Sequence, residues 1–138
     1  MKCIGIAAAS LLLSLFGVAA RAAEPDPVLV RPGAETYHAY CASCHGATGV
    51  GDGPVAIELK NPPADLTRLA ARNGGKFPDA DVARWIDGRF DVPAHGTREM
   101  PIWGRVFQEK LAANTEADDV VRGRVLALIE FLKTIQRP

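Results

Sequence analysis

The sequence is poor in the side chains that build metal and redox centres. Its 138 residues hold three cysteines, two methionines and three histidines. No second Cys-x-x-Cys and no closely spaced His pair is present, which leaves a structural zinc site short of its four ligands. The glycine-rich stretch Gly49-Val50-Gly51-Asp52-Gly53-Pro54 has Pro where a dinucleotide loop needs Gly, and no Gly-Lys-Ser/Thr follows it. A phosphate cradle is therefore excluded. There is also no excess of charge, with 16 basic against 16 acidic side chains. A chain without a basic surplus has little to hold a nucleic-acid backbone, so no nucleic-acid partner is expected.

What is present begins at the N-terminus. Lys2 is followed by an uncharged run, Ile4 to Ala20, and then by Ala20-Arg21-Ala22, an A-x-A-like cleavage site. This is the plan of a secretory signal peptide over residues 1–22, with the cut expected after Ala22. The competing reading is a retained membrane anchor, but the run falls slightly short of the ~18–20 residues a spanning helix needs. Cys3 precedes the run and leaves with the peptide. Removal of Lys2 and Arg21 leaves 14 basic and 16 acidic residues, a net of −2. By length the remainder is one domain, with a Pro-rich linker over residues 23–32 and a body over residues 33–138.

Cys41-Ala42-Ser43-Cys44-His45 has the C-x-x-C-H form of a covalent c-type haem attachment site. On a helix, positions 41, 44 and 45 share one face, so two thiols and an imidazole address the same object. The thiols can form thioethers with the two vinyl groups of haem c, and His45 can reach the iron as proximal ligand. Both remaining cysteines are then used, and no disulfide is expected. A bare dithiol of the thioredoxin kind needs a βαβ setting, and nothing of that kind flanks the motif.

Around the motif the chain reads as helices and glycine-rich loops. Arg31-Pro32-Gly33 opens a helix that runs to Cys44, with Tyr37, Tyr40, Cys41 and Cys44 along one face, His38 off that face, and Gly46 as its stop. The glycines of residues 49–53 predict a loop that wraps the haem edge, and the Pro54 carbonyl is placed to accept from Nδ1–H of His45. Val55 to Leu59 predicts one helical turn, and Asn61-Pro62-Pro63 extended backbone. Asp65 is a cap for a short helix with Leu66, Leu69 and Ala70 inward, stopped by Asn73-Gly74-Gly75. A further helix spans Asp79 to Asp87 with Gly88 as its C-cap and Val82, Trp85 and Ile86 inward. Residues 91–104 have loop composition. Within them Met100 is the one thioether of the mature chain, and Pro101 keeps it out of a helix, so Met100 is the expected sixth iron ligand. His95 lies in the same loop and is the alternative. The last helix starts at the capping-box-like Thr115-Glu116-Ala117-Asp118 and runs to about Gln136, with Val121, Val125, Leu128, Ile129, Phe131, Leu132 and Ile135 as its apolar sector. Arg124 falls inside that sector, either snorkelling to its edge or pairing with a haem propionate.

The combination resembles the class I cytochrome c family over about residues 33–136. Gly33 and Tyr37 stand where the family places a glycine and an aromatic on its first helix. Leu128-Ile129-Glu130-Phe131-Leu132 is similar to the family's last helix, whose aromatic packs across that glycine. Gly53-Pro54 and Met100-Pro101-Ile102-Trp103-Gly104 are similar to the family's Gly-Pro and Met-Pro-x-Trp-Gly segments. The resemblance implies an all-α fold, three to five helices wrapped on one covalent haem, with Cys41 and Cys44 as its thioethers and His45 and Met100 as its axial ligands. Arg98 and Trp103 are candidate neighbours of a propionate. The long stretch between Pro54 and Met100 departs from the smallest members.

With both axial positions filled, the iron has no open place for a substrate, so no catalysis is expected. The function implied is periplasmic one-electron transfer between redox protein partners. The alternatives are a haem subunit of a larger membrane or periplasmic oxidoreductase, a peroxide- or gas-binding protein with a labile Met100, and a dithiol redox protein without haem.

Overall fold

The computed structural model describes residues 24–89, 100–109, 111 and 115–138. Among them there is no strand. Six helical segments follow in order: α1 (Pro27–Tyr40), α2 (Ala42–His45), α3 (Leu69–Arg72), α4 (Asp79–Asp87), α5 (Trp103–Glu109) and α6 (Thr115–Thr134), with 3₁₀ turns at Ala56–Glu58 and Leu66–Arg68. The all-α expectation holds. Four segments are seven residues or longer, and α2 and α3 are single turns.

α1 begins earlier than the sequence suggests. Asp26 caps it by accepting from the Val28 N–H, and Pro27, not Arg31, opens the first turn. The expected linker over residues 23–32 is thus mostly helix. Pro at the first turn is preorganised for helix and has no N–H to leave orphaned. Pro32 is then an interior proline. Its missing donor leaves a gap on an exposed face, with Pro32 and Val28 both in solvent, so water can satisfy the freed carbonyl. The Asp26 N–H also donates to Glu130 Oε2 at 2.8 Å, which ties the start of α1 to α6. Glu130 is a buried carboxylate, and its other oxygen takes Lys133 Nζ at 2.8 Å. Lys133 in turn reaches Asp79 Oδ1 at 2.6 Å, so the same ion-pair chain holds α4 to α6. Burial alone would lower the Lys133 pKa, but hydrogen bonds and charge from Asp79 and Glu130 hold it above the usual lysine range.

α6 is the spine. Val121, Val125, Leu128, Ile129 and Leu132 are buried along it, and Phe131 and Ile135 are partly buried against the same core. α1 crosses it at Gly33. A Cβ there would sit 1.9 Å from the Ala127 carbonyl oxygen and 2.9 Å from Phe131 Cβ. Only glycine permits that approach. One turn on, the buried Tyr37 ring meets Phe131 at 5.1 Å between centroids. α4 ends at Gly88 in the left-handed region (φ 63°), as its sequence predicts, with Val82 and Ile86 buried.

Gly33→Ala is expected to destabilise the protein by about 2–3 kcal/mol or more, since backbone rather than a flexible side chain stands in the way. Urea unfolding of the two proteins side by side checks this; an unchanged midpoint would mean that the helices cross elsewhere.

Candidate functional site

The site starts from a break. α1 ends at Cys41, whose N–H donates to the Tyr37 carbonyl at 2.8 Å, and the chain bends there (φ −112°) before the single turn α2. The Cys41 carbonyl accepts from the N–H groups of Cys44 (3.2 Å) and His45 (2.9 Å), which closes the turn. The bend separates the expected stripe. Tyr40, Cys41, Cys44 and His45 face a common cavity, while Tyr37 turns into the α1–α6 core, where its hydroxyl donates to the Gly46 carbonyl at 2.7 Å. His38 is exposed, as its position off the stripe implies.

The glycine loop does not wrap the cavity. It folds back onto the turn itself. Gly51 N–H donates to the His45 carbonyl (2.8 Å), Gly53 N–H to Cys44 (3.1 Å) and Val55 N–H to Ser43 (2.9 Å). These bonds satisfy the carbonyls that a helix end leaves orphaned. A Cβ on Gly53 would lie 2.3 Å from the Ser43 oxygen, and one on Gly51, itself at φ 92°, 2.5 Å from the Pro63 oxygen. The glycines are there for backbone packed on backbone.

This geometry corrects the expected partner of His45. Its Nδ1 lies 3.0 Å from the Ala64 carbonyl, not that of Pro54. The Gly53 and Val55 bonds pin the Pro54 segment along the back of the turn. Meanwhile the Leu66 N–H donates to Gly49 (2.7 Å) and draws residues 61–66 across the imidazole. With Nδ1–H donating to Ala64, Nε2 is left bare for a metal.

The cavity has a volume of about 280 Å³. Cys41, Cys44 and His45 form one wall and Met100, Pro101, Ile102 and Trp103 another. Leu59, Asn61, Pro62, Pro63 and Ala64 line a third, and Trp85 with Gly88 and Arg84 a fourth. The third wall went unrecognised in the sequence. Its signal was there in a Pro-Pro run with no N–H to hide, which suits an apolar surface. α5 was missed too. It begins at Trp103, where loop composition ends, and Trp103 stacks on Phe107 (6.0 Å) and meets Tyr40 edge-on (5.7 Å). Arg124 is half-buried, its guanidinium lies 4.9 Å over the Phe107 ring, and it is not among the residues that line the cavity. Trp103 lines it; Arg98 and His95 lie outside the described residues.

Beside Gly104, Arg89 clamps Asp87 with two nitrogens (2.7 and 3.0 Å) and Asp118 with a third (2.5 Å), joining the end of α4 to the start of α6. The hydrogen bonds it donates to Asp87 and then to Asp118 raise the Arg89 pKa further. Gly104 is wedged here, since a Cβ would sit 2.2 Å from Asp87 Oδ1.

The donor set fits haem. Cys41 and Cys44 are free thiols. Among the described residues no three His, Cys, Asp or Glu side chains converge on one point as ligands of a bare metal ion. Two thiols, an imidazole and a thioether spread over the walls of a mostly apolar cavity suit a macrocycle with a central iron. Burial, and then the charge of Cys44, pushes the Cys41 thiol up to about 12, the opposite of what a reactive dithiol requires. Burial lowers the His45 pKa despite the Ala64 bond, which keeps the imidazole neutral and fit to ligate.

A family model described as cytochrome C oxidase, cbb3-type, subunit III matches residues 28–115, well over half of the chain. The chain belongs to this cytochrome c family. Comparison with curated proteins and with solved structures finds no match. A cytochrome c domain carries covalently bound haem c and works by haem-based electron transfer with redox partners. The matched span holds both the Cys41–His45 and the Met100–Trp103 walls and begins, as α1 does, ahead of Arg31. No helix among the described residues of this cytochrome is long and apolar enough to cross a membrane.

Asp65 caps the 3₁₀ turn that follows the third wall. Its Oδ1 accepts from the Thr67 hydroxyl (2.7 Å) and N–H (2.9 Å), and the Thr67 hydroxyl is the main cause of its lowered pKa. A carboxyl held below its unfolded value of about 3.9 binds fewer protons folded than unfolded, so its contribution is full above that value and is lost as pH falls through the folded one. Asp65→Asn should therefore unfold more readily than wild type at pH 6, and the gap should narrow toward pH 3. Urea midpoints at the two pH values measure it; a constant gap would show that the charge of Asp65 is not what holds the turn.

Proposed function

We propose that this protein is a periplasmic mono-haem c-type cytochrome that carries single electrons between redox protein partners and is not itself an enzyme. Cys41 and Cys44 would hold the haem through thioethers, and His45 and Met100 would ligate its iron. The observation that carries this reading is that these four side chains, 59 positions apart at the extremes, line one cavity. When bound, the group supplies one-electron exchange between ferric and ferrous iron. The residues do the rest. His45 is held neutral by burial and aimed by Ala64. Met100, a soft thioether held beside Pro101, would favour the ferrous state of the iron and leave no place on it for a substrate. Prolines, Trp85 and Trp103 keep water from the ring, which raises the potential further. The single Cys-x-x-Cys-His supports one haem. The N-terminal Lys2, apolar run and Ala20-Arg21-Ala22 support export and cleavage.

A second reading is a haem-bearing subunit of a larger oxidoreductase complex. It is favoured by the family's own description, which names a subunit of a cytochrome c oxidase. Both readings use the same site. They part on whether the mature protein is purified alone or together with a membrane-bound partner.

The test is the optical spectrum of protein matured in a periplasm competent for cytochrome c assembly, oxidised and reduced, with Met100→Ala beside it. Wild type is expected to be low-spin with the long-wavelength sulfur-to-iron band, and the variant to lose that band and bind carbon monoxide when reduced. A high-spin wild type that binds carbon monoxide readily would overturn the closed-site reading. Cys41→Ala and Cys44→Ala together should yield protein whose haem is removed by acidified acetone, whereas wild type keeps it.

A further inference from the structure

The imidazole of His45 is aimed by a carbonyl on a segment that has little helical support of its own. Residues 59–65 form no helix, bending at 59–61, and the 3₁₀ turn that follows has three residues. Something else must hold the Ala64 carbonyl in place, because a hydrogen bond orients a ring only as well as its acceptor is fixed. The hydrogen bonds lead to the far end of the chain. Gln136 Nε2 donates to the Leu66 carbonyl at 2.8 Å, and its Oε1 accepts from the Ala70 N–H at 2.9 Å. The same Nε2 also donates to the Leu132 carbonyl, at 2.8 Å, so the amide is seated on the last turn of α6. Next to it the Arg137 N–H donates to the Thr67 carbonyl at 2.8 Å. Leu66, which Gln136 holds by its carbonyl, donates its own N–H to Gly49 in the loop that is tied to the carbonyl of His45 through Gly51.

Gln136 thus spans both ends of the short helical stretch Leu66 to Ala70, one with each half of its amide. No other side-chain type has a donor and an acceptor at this reach and spacing in an uncharged group. Asn is one methylene shorter, and Glu lacks the donor.

We propose that Gln136 is a positioning residue for His45. It clasps the strap of residues 64–70 to the C-terminal end of α6 and so fixes the Ala64 carbonyl against Nδ1. The inference rests on the reading of His45 as an iron ligand. It adds that the C-terminal residues of the chain, remote from the attachment motif in sequence, set the geometry and donor strength of the proximal ligand.

The experiment is solvent exchange of the His45 Nδ1 proton in reduced holoprotein, followed by NMR. It compares wild type, Gln136→Ala and Gln136→Glu with the control Lys133→Ala. The control cuts a different α6 anchor, the one to Asp79, so it lowers global stability without touching the strap. Gln136→Ala is expected to speed exchange of this proton at least about tenfold more than the control does, after each is compared at its own measured stability. Its reduction potential should shift upward, because a weaker bond from Nδ1–H to the Ala64 carbonyl makes the imidazole a poorer donor to ferric iron. Gln136→Glu, which keeps the acceptor for Ala70 and sets an anionic oxygen against the Leu66 carbonyl, should do the same even if the alanine variant does not mature. If exchange and potential follow global stability alone, with Gln136 variants and control on one line, the clasp is an ordinary packing contact and the inference is wrong. A wild type without an imidazole-ligated iron overturns the underlying reading and the inference together, which separates the two failures.

Discussion

Everything in this protein that faces the cavity depends on how closely α1 can approach α6. The crossing at Gly33 places backbone against backbone, with the Ala127 oxygen where a side chain would start. That contact fixes the height at which α1 ends, and so where Cys41, Cys44 and His45 project. A methyl group at Gly33 would push α1 outward and carry the motif with it. The aromatic pair of Tyr37 and Phe131 one turn further on has the same consequence from the other side. The Tyr37 hydroxyl, held by the Gly46 carbonyl, makes the crossing and the end of the motif one rigid unit. Burial pushes that hydroxyl up to about 12, with the charges of Cys41 and Asp52 adding to the effect, so it remains a donor throughout the physiological range.

The parts of this arrangement that were legible in the sequence are those that repeat at helical spacing or have a fixed chemical grammar. The attachment motif, the α4 boundaries with the Gly88 cap and the apolar sector of α6 are of this kind. What escaped was non-local. Nothing about Pro54 and Ala64 as isolated residues says which carbonyl reaches His45; that is decided by where the Gly53, Val55 and Leu66 amides bond, three contacts between segments. Arg124 shows the same limit. Its position inside an apolar sector was plain, yet its use, over the Phe107 ring, depends on a helix that loop-like composition concealed. Pro32 misled in the opposite direction. It looked like a helix start and is a helix interior, because an exposed face tolerates the missing hydrogen bond.

The two walls that carry the proposed axial ligands are built from different interactions. The His45 wall is held by backbone hydrogen bonds, from Gly51, Gly53 and Val55 to the turn and from Leu66 to the loop beside it. All join neutral backbone groups, so they are little affected by ionic strength. The Met100 wall is held by ring contacts at Trp103 and by the Asp87–Arg89–Asp118 clamp. Asp118 is nearly half exposed, so part of that clamp is open to screening by salt.

This asymmetry bears on the relation between the proposed electron carrier and a ligand-binding protein. In a cavity whose two walls had equal footing, loss of the sixth ligand would mean loss of the fold. The bonds of the attachment turn, the crossing at Gly33 and the strap of residues 64–70 do not pass through Met100. The proposed closed site and an open one would then differ at the contacts around Trp103 and Arg89 and not at the Cys-x-x-Cys-His motif.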